Sequence, residues 1–88
     1  MSDLIAEARA ELSQKSRSQI EEETAFKWGS RAVAAYGFYR QTHEPRWLRD
    51  AETYFSEGVE HASLADDSGE VLRAVHEWMQ QYIPRGAL

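Results

Sequence analysis

Glu57 and His61 stand four residues apart, the spacing that sets a carboxylate and an imidazole side by side on one face of a helix. Such a pair can hold one metal ion. Glu60, Asp66 and Asp67 lie near it in sequence. The other two histidines are His43 and His76. The chain contains no cysteine, which removes thiolate zinc sites, cysteine nucleophiles and disulfides at once. A solvated Glu/His pair on a helix surface is the commoner arrangement, so the metal site built on Glu57 and His61 stands as the alternative reading.

Glu57, Glu60 and His61 resemble the carboxylate-rich helices of di-iron bundles. Those bundles use a Glu-x-x-His step, with ligands three residues apart. Here Gly58 occupies the position three before His61, and no second segment supplies a matching set. Serine chemistry finds no support either. No Gly-x-Ser-x-Gly turn is present; Gly29-Ser30 falls in an apolar helical stretch and Ser68-Gly69 in a turn. The five glycines are scattered, so no phosphate-binding loop exists. No catalytic residue and no cofactor is expected.

The aromatic residues Trp28, Tyr36, Phe38, Tyr39, Trp47 and Tyr54 say more. Trp47, Tyr54 and His61 recur every seven residues and form a stripe beside the seam Leu48, Ala51, Phe55, Gly58, Ala62 and Ala65. One helix thus carries more apolar surface than one neighbour can cover. Either the N-terminal segment covers it through Leu4, Ile5 and Leu12, or an aromatic groove stays open for a partner helix or a second copy. Tyr, Trp and Arg are the residue types that anchor protein contacts. Arg31, Arg40, Arg46 and Arg49 border the region. Phe38, Arg46, Trp47 and Tyr54 are the expected partner-binding residues.

Those side chains need helices to hold them. A first helix is expected over about residues 3–15, followed by a turn or kink in the polar run Ser13–Ser18, where Ser18 and Glu21 have capping-box spacing. The competing reading is one helix from Asp3 to Gln41, since nothing in that run forbids helix. A second helix is expected over 19–41, with Ala25, Trp28, Ala32, Ala35, Tyr36 and Tyr39 on one face. Pro45 suits the first position of a third helix over 45–65. Gly58 costs that helix roughly 1 kcal/mol against alanine; its expected reason is close packing beneath Trp28 or Tyr36. Asp67 and Glu70 have capping-box spacing, with Ser68 a rival cap, at the start of a fourth helix over 69–82. Its apolar face holds Val71, Leu72, Val75, Trp78, Met79, Tyr82 and Ile83. The connections are short, so consecutive helices should be antiparallel neighbours. Ala51, Phe55, Gly58 and Val59 resemble the second helix of a tetratricopeptide unit. The connection before them is longer than that motif allows, and no second copy follows, so no repeat is assigned.

The chain is therefore expected to be all-α, a small antiparallel bundle of three to four helices forming one domain over 1–88. Residues 1–17 would be a loosely docked helix or arm and residues 85–88 a flexible tail. At 42% hydrophobic and 28% charged, the composition is that of a folded domain. Residues 1–49 carry eight basic and seven acidic side chains; residues 50–88 carry two and eight. That acidic second half repels phosphate backbones, so nucleic acid is not an expected partner. No apolar run approaches the ~20 residues that span a bilayer, and no signal peptide is read at the start. The expectation is a cytoplasmic protein-interaction module (an adaptor, chaperone-like or regulatory subunit) whose partner is another protein or a second copy.

Overall fold

The computed structural model describes the backbone of residues 2–88 and the side chains of residues 4–6 and 17–88. Three helices follow in order: α1 (Ser2–Thr42), α2 (Pro45–Ala65) and α3 (Glu70–Gln80). The all-α bundle expected from the sequence is what forms. None of its helices is long and apolar enough to cross a membrane, among the described residues.

The first two expected helices are one. The run Ser13–Ser18 holds neither glycine nor proline, and each serine costs only about 0.5 kcal/mol of helix propensity, too little to end a rod anchored further along. Ser18 makes no cap for α1. Its hydroxyl donates instead to the Ala65 carbonyl at 2.5 Å, satisfying a backbone group left open at the end of α2. At about 1.5 Å per residue, α1 accounts for the 61 Å long axis of the molecule. Residues 2–17 run on past the point where α2 ends. There Leu4 and Ile5 are 72% and 56% exposed, so they do not cover the α2 stripe as expected. Leu12, assigned to the same role, lies outside the described side chains.

The hairpin between α1 and α2 is closed by local chemistry. Thr42 donates its hydroxyl to the Phe38 carbonyl at 2.8 Å and accepts from the Glu44 N–H at 3.2 Å. His43 takes a left-handed conformation, φ 59°, and its N–H reaches the Tyr39 carbonyl at 2.7 Å. Glu44 is extended, as a residue before proline should be, and Pro45 opens α2.

Small residues let the two helices approach closely. Ala25, Ala32 and Ala35 of α1 and Ala51, Ala62 and Ala65 of α2 are buried. A Cβ on Gly58 would stand 3.2 Å from the Ala25 carbonyl oxygen and 3.3 Å from the Gly29 nitrogen. The expected reason for Gly58 holds, but the residues above it are Ala25 and Gly29, not Trp28 or Tyr36. Backbone faces backbone there, which leaves no slack for a larger residue.

α3 returns antiparallel to α2 and lies over one side of the hairpin. It contributes Val75 and Met79 to the core, and Ile83 follows from the turn beyond its end. Trp78 sets its ring edge-on to Phe26 at 5.7 Å, and His76 sits edge-on to Phe55 at 5.5 Å. Gly29 makes room for this helix, since a Cβ there would lie 3.1 Å from Trp78. Tyr82, expected on the apolar face, is exposed and only touches Trp78 edge-on. The tail does not leave the body: the Ala87 N–H donates to the Pro84 carbonyl at 3.1 Å, and Ala87 packs against the core.

The Asp67–Glu70 capping box expected in the α2–α3 loop does not form, while the hydroxyl of the rival Ser68 accepts from the Glu70 N–H at 3.3 Å. Asp66, not Asp67, organises the loop, accepting from the Gly69 N–H at 2.9 Å and the Ser68 hydroxyl at 3.1 Å. Gly69 supplies the left-handed turn, φ 81°. Slight burial pushes the Asp66 carboxyl up. Hydrogen bonds from the Gly69 N–H, the Ser68 hydroxyl and the Val71 and Ser68 N–H groups pull it down, and the net places it below the ordinary value of 3.8.

Candidate interaction surface

The α1–α2 hairpin has two sides. One is roofed by α3. Phe26 and Gly29 of α1 meet α3 through Trp78 and Met79, and Phe55 of α2 meets it through His76. On the other side no helix lies over the described residues, and three cross-hairpin pairs step down it. His61 meets Glu21, Tyr54 meets Trp28 and Trp47 meets Phe38. The seven-residue spacing of 47, 54 and 61 returns each α2 member to the same angle after about two turns.

The rungs differ in chemistry. At the top, the Nδ1–H of His61 donates to the Glu21 carboxylate at 2.6 Å, because an ionised carboxylate can only accept. Its Nε2 lies 3.8 Å from the Glu57 carboxylate. The imidazole is thus held between two acids, one from each helix. In the middle, Tyr54 stacks obliquely on Trp28 with ring centroids 5.6 Å apart. The Arg31 guanidinium sits 4.8 Å from the Trp28 centroid. At the bottom, Phe38 and Trp47 approach to 4.9 Å, and the Arg46 guanidinium lies 4.7 Å from the Trp47 centroid. Arg46 also donates through Nε to Glu44 at 2.7 Å. A cation over an exposed aromatic ring contributes about 0.5–1 kcal/mol. Each guanidinium is thereby held against its ring.

The residues expected to contact a partner therefore share one face. Phe38, Arg46 and Trp47 form a single patch beside the hairpin turn. Tyr54 lies one rung above and joins them through the stripe rather than by touching them. Phe38 is 47% exposed, while Trp47, Tyr54 and Trp28 are half-buried. What covers the Trp47–Tyr54–His61 stripe from the side is α1 itself. Trp28 and Arg31, named from the sequence as part of the aromatic group and its border, do join this face, while Glu21 was missed. Glu21 reads as a first-turn acid only if a helix begins near residue 19; in a helix that begins at Ser2 it is an interior residue free to reach across.

The alternative metal pair is present as a neighbouring pair, but it lacks further ligands. No group of three His, Asp or Glu side chains comes together around a common point among the described residues. Both ring nitrogens of His61 face carboxylates of the same molecule.

Set against known proteins, the chain matches no family model, no curated protein and no solved structure.

Proposed function

We propose that this chain is a small helical protein–protein interaction module, an adaptor or regulatory subunit rather than a catalyst. Its contact surface is the face of the α1–α2 hairpin turned away from α3. One observation carries this reading: the side without a roof is where the chain stacks aromatic rings and lays arginines over them. Phe38, Trp47, Tyr54 and Trp28 pair across the hairpin, and together they also leave aromatic area at the surface for a partner to cover. These are the residue types that anchor interfaces, since each offers a large rigid area with a polar edge. Recognition would bury the rings against a partner helix and hand the arginine N–H groups to its carboxylates or carbonyls.

The test is site-specific crosslinking in the cells that make the protein. A photoreactive phenylalanine analogue replaces Phe38 in one variant and Glu77, on exposed α3, in another. The reading expects a discrete polypeptide adduct from position 38 and none from position 77. No adduct from position 38, or equal adducts from both, overturns it.

A further inference from the structure

The open face has two edges of different charge, and its levels are fixed by the pairs Glu21–His61, Trp28–Tyr54 and Phe38–Trp47. By those levels, three residues on the outer edge of α1 have counterparts on the outer edge of α2. Ile20 stands level with Leu64, Lys27 with Glu57 and Phe38 with Arg46. Within one chain the members of each such pair come from different helices, and Phe38 and Arg46 both lie against the Trp47 ring. Ile20 and Leu64 are 58% and 63% exposed, an aliphatic pair left in water at one height.

We propose that the partner of this face is a second copy of the chain, related by a two-fold axis lying in the face and parallel to the helices. Such an axis keeps every residue at its own level and sets α1 of one copy against α2 of the other. Each exposed residue then meets its counterpart: Ile20 the second copy's Leu64, Lys27 the second copy's Glu57, and Phe38 the second copy's Arg46. Apolar meets apolar, cation meets anion and ring meets guanidinium, each twice by symmetry. The other in-plane axis, across the helices, would set α1 on α1 and bring two basic edges together. All four helices of the proposed core are antiparallel to their neighbours, the packing of a four-helix bundle, with each α3 outside. The face is about 35 Å long and about 20 Å wide, near the ~800 Å² per partner of a stable interface.

This inference rests on the open face being a contact surface. Sedimentation equilibrium of the purified full-length chain tests it. The expected result is a dimer, with Lys27→Glu and Glu57→Lys each weakening association about tenfold and the double variant K27E/E57K restoring it, because both partners then swap sign together. Both positions are at the surface, so the fold is retained. A chain that stays monomeric at millimolar concentration overturns the proposal, as does a dimer indifferent to either reversal. Because the chain has no cysteine, Ile20→Cys and Leu64→Cys chains can be mixed and oxidised. A disulfide joining one variant to the other is expected, and a preference of the Ile20→Cys chain for linking to its own kind overturns the axis. A monomeric chain that still gives a foreign adduct from position 38 removes the second copy alone; absence of both removes the contact surface as well.

Discussion

The two sides of the α1–α2 hairpin are built from different kinds of residue. On the side under α3, Gly29 gives way so that Trp78 and Met79 can sink in, and Val75 and Ile83 complete a dry interior. On the opposite side nothing sinks. Rings stack beside one another, partly exposed, with charged groups across them. The first side is organised for burial, where each missing methylene opens a cavity. The second leaves its rings partly exposed, where a lost ring leaves only a dent. Side chains on the roofed side should therefore matter mainly to stability and, on the proposed reading, those on the open side mainly to association.

Met79→Ala should show the largest effect. The side chain is fully buried, so its loss should cost about 3 kcal/mol in denaturant unfolding. Gly58→Val should come next, at about 2–3 kcal/mol, because the obstacle is the backbone of α1 rather than a side chain that can turn aside. Trp28→Ala on the open side should cost about 1–2 kcal/mol despite removing a larger group, since the side chain is only partly buried and its loss opens to solvent rather than to a closed cavity. Equal losses from Met79 and Trp28 would erase the distinction between the two sides. Gly37→Ala should stabilise by about 0.5–1 kcal/mol, because this helical glycine has open space where its Cβ would go. That gain isolates helix propensity from packing and sets the scale against which Gly58 is judged.

The smallest effect concerns pH. The Asp66 carboxyl lies below its ordinary value of 3.8 in the folded chain, so its contribution is present above that value and is lost as pH falls through the lower folded value. Melting temperature followed from about pH 5 to about pH 2 should fall more steeply for the natural chain than for Asp66→Asn, whose amide oxygen still accepts from Gly69 and does not titrate. Parallel slopes would show that the loop takes no part in acid unfolding.

Much of this architecture was legible residue by residue. Pro45 and the polar run after Ala65 mark both ends of α2, and its seam Ala51, Gly58, Ala62 and Ala65 is buried as the spacing requires. The break expected in Ser13–Ser18 was not there. The partner that occupies Ser18 lies 47 residues away, and no local pattern announces it. The stripe of Trp47, Tyr54 and His61 was visible on its own helix, yet its covering by Glu21, Trp28 and Phe38 depends on which way the hairpin turns. That choice is made by the left-handed His43 and by where α3 lands, neither of which periodicity encodes. Tyr82 failed as a core residue for a similar reason: the helix ends at Gln80 and the chain tightens into a turn, so helical angles no longer apply.

The Ser18–Ala65 bond also sets a counting rule for this molecule. Between those two residues the number of positions is fixed at both ends, by the clasp above and the Thr42–Pro45 corner below. One inserted residue within 19–41 or 46–64 would rotate all that follows by about 100° and swing one member of a rung off its mate. The 66–69 loop lies outside the clasp and joins two helices by a turn. Versions of this chain that differ in length should therefore differ outside 18–65, as within that loop, and the stretch between should tolerate replacement of residues but not their addition or removal.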